Sequence, residues 1–169
     1  MVVTCYNHEK YIEQCLRSVF NQTYTNIELI VLDDGSTDSS TQIIQEVLKD
    51  SPFGTRFETH ENLGVVNNRN LGLELIRGDY LLFVDSDNYL DADYVEQLYS
   101  KLTETNADIA YCDLFNPEKE EFYLKSREFD LTAFLNASFI DNCSLIRRSI
   151  IGNARYDEML NRKKLEDYD

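Results

Sequence analysis

"LLFVDSDNYLDAD", residues 81–93, runs four apolar residues straight into Asp85-Ser86-Asp87 and then meets Asp91 and Asp93. The apolar part reads as a buried strand. A strand of that kind ending in two carboxylates one residue apart leaves three readings open: catalytic acids, metal ligands, or a solvated acidic turn. Residues i and i+2 of a strand point to the same side, so Asp85 and Asp87 are placed to share one hard cation, which prefers oxygen ligands. Asp91 and Asp93 fall at the start of the next helix, where carboxylates favour the dipole.

The surrounding chain repeats the pattern. "MVVTCYN" (1–7) reads as a short strand and "HEKYIEQCLRSVFNQ" (8–22) as a helix, with Tyr11, Ile12, Cys15, Leu16, Val19 and Phe20 at helical spacing. "NIELIVLDDGS" (26–36) is a β-rich run ending in acids and a glycine, and "STDSSTQIIQEVLKD" (36–50) is a helix with Ser36 or Thr37 as its cap. "RFETHEN" (56–62) reads as a third strand. "GVVNNRNLGLELIRG" (64–78) reads as a helix closed by Gly78. "DYLLFVDSD" (79–87), a capped helix over 91–105 and a strand over "ADIAYCDLF" (107–115) continue the alternation. Past Pro117 the pattern loosens: 118–130 suggests a hairpin or edge strand, 131–139 a short helix, and 142–151 a strand leading into a helix.

Alternating strands and helices predict an α/β domain with a mainly parallel sheet. Ligands of such sheets bind beyond the carboxyl ends of the strands. Three polar or acidic clusters fall at those ends: Thr4–Asn7, Asp33–Ser36 and Asp85–Asn88. Their convergence on one sheet edge is the main pointer to a site. Arg69, in "NNRN" (67–70), falls early in a helix, where it faces either a diphosphate or an acid such as Asp34 or Asp85.

Composition removes several classes. The 169 residues suit one domain with a proper core, and at 43 % hydrophobic residues the chain is no disordered tail. Acids outnumber bases 31 to 16, a net charge of −15 that repels nucleic acid and anionic lipid. An anionic substrate arriving with a divalent cation stays compatible with that field. Cys5, Cys15, Cys112 and Cys143 form no CxxC pair and read as reduced thiols of a cytosolic protein. No apolar run reaches a membrane span of roughly 20 residues, and no signal peptide is visible.

Other motifs fail on inspection. An EF-hand reading from Asp85 puts Tyr89 and Leu90 where an oxygen ligand and a glycine belong. A phosphatase D-x-D-G-[ST] motif fails because Leu32 stands where the first Asp should be. Neither dinucleotide nor P-loop glycine motif is present. His8 and His60 read as polar surface residues.

Taken in order, "TCYNHEKYIEQCLRSVFNQTY" (4–24), "IELIVLDDGSTDSS" (27–40), "NLGVVNNRNLGLELIRGDYLLFVDSD" (62–87) and "LEDYD" (165–169) resemble the family 2 glycosyltransferases, which have the GT-A fold. The resemblance covers almost the whole chain. It implies an inverting hexose transfer from a UDP-sugar to an acceptor hydroxyl on a glycan, glycoprotein or lipid-linked sugar. It implies that Thr4, Tyr6 and Asp34 contact uracil, with Asp33 structural. Arg69 lies in the helix closing over the nucleotide. Asp85 faces ribose or metal, and Asp87 coordinates Mn²⁺ or Mg²⁺. Of the family's acidic pair, Glu166-Asp167, Asp167 is the catalytic base.

The same resemblance divides the chain into a nucleotide-sugar-binding part, 1–115, and the start of an acceptor-side part, 116–169. Family members continue further, so the chain reads as a C-terminally truncated domain whose bared apolar surface favours homo-oligomers. A cytoplasmic location is expected, at the inner membrane face if other segments anchor it. Two rivals stand beside the transferase: a non-catalytic sugar-nucleotide-binding domain of the same fold, and a nucleotidyl-transferring enzyme of similar architecture.

Overall fold

The computed structural model describes residues 1–117, 119–136 and 138–160. The chain runs through β1 (Val2–Cys5), α1 (Ile12–Phe20), β2 (Glu28–Asp33), α2 (Ser40–Val47), β3 (Gly54–Thr59), α3 (Val65–Leu75), β4 (Tyr80–Leu81), β5 (Phe83–Asp85) and α4 (Tyr94–Thr105). It continues through β6 (Ile109–Ala110), β7 (Leu114–Asn116), β8 (Glu121–Leu124), α5 (Leu131–Asn136), β9 (Leu145–Arg147) and α6 (Arg148–Ile151).

The central sheet has the order β3-β2-β1-β5, and every pairing in it is parallel. This is the α/β arrangement that the alternation predicts. β1, β2 and β5 are covered on both faces, whereas the edge strand β3 is largely exposed, and the alternation of side chains decides which face each residue serves. Val3, Leu29, Val31 and Val84 pack with Ile12, Leu16, Val19 and Leu102 of the α1 and α4 side. Val2, Ile30, Leu32 and Phe83 pack instead with Ile76 and the leucines of α3. Each fully buried aliphatic of this kind stabilises by about 1.5–3 kcal/mol.

Gly72 lets α3 lie close to that second face. A Cβ there would stand 2.9 Å from Val2 Cγ1 and 3.0 Å from Phe83 Cε1.

Several local expectations need correction. The strand expected over 79–87 is divided. Tyr80 and Leu81 pair antiparallel with β9, whereas Phe83–Asp85 pair parallel with β1. Leu82 is the join, and its carbonyl accepts from the Val2 amide at 2.9 Å. The strand expected over 107–115 is divided likewise, with Ile109–Ala110 on β9 and Leu114–Asn116 forming an antiparallel hairpin with β8.

Gly78 does not cap α3. The helix ends at Leu75 because Ile76 turns extended and enters the core, 7 % exposed. The Glu28 carboxylate then accepts the amides of Arg77 and Gly78. Nor do Ser36 or Thr37 cap α2. Asn7 Oδ1 accepts from the Thr37 amide at 2.7 Å, and Glu9 Oε2 accepts from the Ser39 amide at 3.0 Å. The loop after β1 thus holds the turn that leads into α2, which ties two rims of the sheet together, while the first helical amide, that of Ser40, donates to Asp38 Oδ1 at 2.9 Å.

Candidate functional site

The strand order 3-2-1-5 reverses direction at β1. Chain leaving β1 passes to β2 on one side, and chain leaving α3 returns to β5 on the other. The crevice at the carboxyl ends of strands beside such a switch point is the expected ligand position for an open α/β sheet. A cleft of about 570 Å³ occupies it. Thr4, Tyr6, Asp34, Arg69, Asp85 and Asp87 all line this cleft. Glu166 and Asp167 lie outside the described residues.

Asp85 is placed by register. Thr4 pairs with it across β1 and β5, and Thr4 Oγ1 donates to Asp85 Oδ1 at 3.2 Å. Ser86 is buried at the cleft wall: its amide donates to Thr4 O, and its hydroxyl shares a 2.7 Å hydrogen bond with His8 Nδ1. β5 ends at Asp85, so the strand expected through Asp87 stops two residues early; Ser86 and Asp87 fall in the turn closed by the Asn88 amide donating to Asp85 O at 2.9 Å. That turn, not strand alternation, brings the exposed Asp87 to the same crevice as Asp85.

Arg69 is 3 % exposed, and its Nη2 stands 3.4 Å from each carboxylate oxygen of Asp85. Burial in the cleft pushes the Asp85 carboxyl above its ordinary value. The Arg69 guanidinium opposes that push, and the neighbouring Asp87 charge adds to it.

Asp33 and Asp34 have different work. Asp33 is fully buried and accepts hydrogen bonds from Ser36 Oγ, from Thr41 Oγ1 at 2.7 Å and from Thr59 Oγ1 at 3.0 Å. Asp34 turns toward the cleft. Its Oδ1 accepts from the Leu63 amide at 2.7 Å and its Oδ2 from the Gly64 amide at 3.0 Å. Both oxygens thus hold the loop that starts α3. Gly64 takes φ 88 and ψ 159, backbone that only glycine adopts without strain. Tyr6 lines the cleft and is 46 % exposed.

Both histidines depart from the surface reading. His8 lines the cleft beside Ser86, and His60 bridges Glu61 O and Asn68 Oδ1, 3.6 Å from Asp34. Asn62, Gly64 and Asn68 also line the cleft and were missed by motif reading. "Asn-Leu-Gly" before a helix was the available signal. Tyr156, behind Arg69, gave none.

The four cysteines form no disulfide, and burial pushes each thiol up, so none is a ready nucleophile. No described helix is long and apolar enough to cross a membrane.

Residues 1–167 match the family described as Glycosyl transferase family 2. Glycosyltransferase GlyA of Streptococcus pneumoniae is 37 % identical over 146 residues, covering 84 % of this chain and 21 % of GlyA. An uncharacterized glycosyltransferase of Haemophilus influenzae is 35 % identical over 174 residues, covering 99 % of this chain and 68 % of that protein.

Among solved structures, S. aureus TarS 1–349 in complex with UDP-GlcNAc superposes with a TM-score of 0.72 at 23 % identity, covering 92 % of this chain and 47 % of TarS 1–349. The mannosyltransferase PcManGT of Pyrobaculum calidifontis, in complex with GDP-Man and Mn²⁺, gives 0.72 at 17 % identity, covering 93 % of this chain and 46 % of PcManGT. These likenesses carry the GT-A fold. Strand order, cleft and matched residues lead to one conclusion: the chain belongs to glycosyl transferase family 2.

Proposed function

We propose that this chain is the donor-binding part of an inverting glycosyltransferase that moves a hexose from a UDP-sugar to an acceptor hydroxyl. The observation that carries the reading is the meeting of Thr4, Asp34, Arg69, Asp85 and Asp87 in one cleft at the switch point of the sheet. Membership of the family supports transfer, and the UDP-GlcNAc complex of TarS supports the UDP-sugar class. The acceptor is a carbohydrate or glycoconjugate.

The residues present fit a divalent cation. Asp85 and Asp87 are two hard oxygen donors lining one cleft, and the charge of Asp87 raises the Asp85 carboxyl. A cation held by both would relieve that repulsion. No group of three His, Cys, Asp or Glu suited to an ion exists among the described residues. An ion held by Asp85 and Asp87 would draw its remaining oxygen ligands from substrate phosphates and water, as Mg²⁺ sites commonly do. Bound Mn²⁺ or Mg²⁺ supplies charge neutralisation on the departing diphosphate. The Mn²⁺ complex of PcManGT supports this assignment.

The chain's own residues orient the donor. Tyr6 offers the base an aromatic face, and Asp34 keeps the rim at 62–64 in place. Arg69 faces Asp85 and opposes the upward push of burial on its carboxyl. An inverting displacement needs a base on the face opposite the leaving group. Asp85 and Asp87 serve the diphosphate, so a separate carboxylate, Asp167, takes the acceptor proton.

Donor turnover tests the reading. Release of UDP from a UDP-hexose, lost in Asp167→Asn while UDP binding persists, is the expected result. Pyrophosphate-dependent exchange with UTP points to a nucleotidyl-transferring enzyme instead, and UDP-sugar binding with no turnover, even in a longer chain, points to a binding domain.

A further inference from the structure

Arg69 and Asn70 are neighbours on α3, and both reach Tyr156 on the far side of the chain's length. The Asn70 side chain closes a two-bond clasp on the Tyr156 backbone. Its Nδ2 donates to Tyr156 O at 3.0 Å, and its Oδ1 accepts from the Tyr156 amide at 2.9 Å. A side-chain amide used this way satisfies donor and acceptor of one residue at once, as a neighbouring strand does.

The clasp presents the Tyr156 ring to Arg69, whose Cζ lies 5.7 Å from the ring centroid. The ring is fixed on two further sides. Phe83 meets it at 6.3 Å and 71°, and the Tyr156 hydroxyl is 3.3 Å from Asn142 Oδ1. Phe83 belongs to the strand that carries Asp85.

We propose that the Asn70–Tyr156 clasp is the positioning device of the donor site, setting the Arg69 guanidinium against Asp85. The inference rests on the donor reading above. Tyr156 does not itself line the cleft, so it acts through Arg69. An aromatic face attracts the guanidinium and closes off the rotamers that would swing it away from the carboxylate. Arg69 then meets the incoming diphosphate and cation already oriented, and its ordering cost is met on folding instead of on binding.

Calorimetric titration of the 169-residue chain with UDP and Mn²⁺, alongside its unfolding temperature, tests this. Tyr156→Phe keeps the ring and should bind within about twofold of the unaltered chain. Tyr156→Leu and Asn70→Ala should each weaken UDP binding roughly tenfold. The Tyr156→Leu effect should vanish when Arg69 is already alanine, because the two residues act as one unit. Tyr156→Leu with a lowered unfolding temperature but unchanged UDP affinity overturns the inference and leaves a packing residue only. If Tyr156→Leu does not fold, Asn70→Ala decides by the same comparison. An unaltered chain that binds no UDP overturns the donor reading, and the clasp's role falls with it.

Discussion

Arg69 Nη2 stands 3.4 Å from both carboxylate oxygens of Asp85, so a buried cation from α3 faces an acid at the end of β5. Burial raises the Asp85 carboxyl and Arg69 pulls it back. Removing the guanidinium lets Asp85 keep its proton to higher pH, and a protonated carboxyl is a poor cation ligand. Arg69→Ala should therefore weaken Mn²⁺-dependent UDP binding, by roughly tenfold for a lost charged contact, and the deficit should be larger at pH 6 than at pH 8. UDP titrations at both pH values check the sign; an equal deficit at both removes Asp85 as the titrating group.

Asp33 should matter to stability. Three hydroxyls, from Ser36, Thr41 and Thr59, donate to its fully buried carboxylate. Asp33→Ala leaves them without that acceptor and should cost about 2–4 kcal/mol in urea unfolding. A loss under about 0.5 kcal/mol, within the range of an ordinary surface change, contradicts the structural role.

Asp34→Ala should act on binding more than on fold. It removes the acceptors of the Leu63 and Gly64 amides at the cleft rim, which frees the loop that starts α3. UDP affinity should fall at least fivefold, with unfolding free energy lowered by only about 1–2 kcal/mol. Comparing the two measurements with those of Asp33→Ala separates adjacent acids that a motif treats as one.

Gly72→Ala sets packing against helix propensity. Alanine improves an exposed helix by about 1 kcal/mol. Here its Cβ would stand 2.9 Å from Val2 and 3.0 Å from Phe83. Overpacking should win, with a net loss of about 1–2 kcal/mol in chemical unfolding. A stabilised variant would show that α3 has more room than the structure gives it.

The legible part of the molecule was local. Apolar runs at 29–32 and 81–84 named their strands, but the expected alternation across Asp85-Ser86-Asp87 gave way to a turn once β5 ended at Asp85. Nothing near Asn7 or Glu9 said that they would hold the turn into a helix some thirty residues later. The break at Leu82 depends on β9, a strand formed much later in the chain. Glycine at 78 suggested a stop, but the demand for Ile76 in the core ended α3 first. Motif likeness pointed to Asp34 as a base ligand, whereas its bonds to Leu63 and Gly64 emerge only once the chain is folded. Tertiary contacts decided each of these points, and propensity sees only neighbours.

Asp87 tests the central claim most directly, because it is exposed in the cleft and buried in no core. UDP is titrated into the unaltered chain and into Asp87→Ala, each with and without Mn²⁺. The account predicts that Mn²⁺ tightens UDP binding in the unaltered chain and has no effect in Asp87→Ala, whose unfolding temperature is unchanged. Equal affinity of the two proteins in Mn²⁺ would contradict it and remove the carboxylate pair from the donor site.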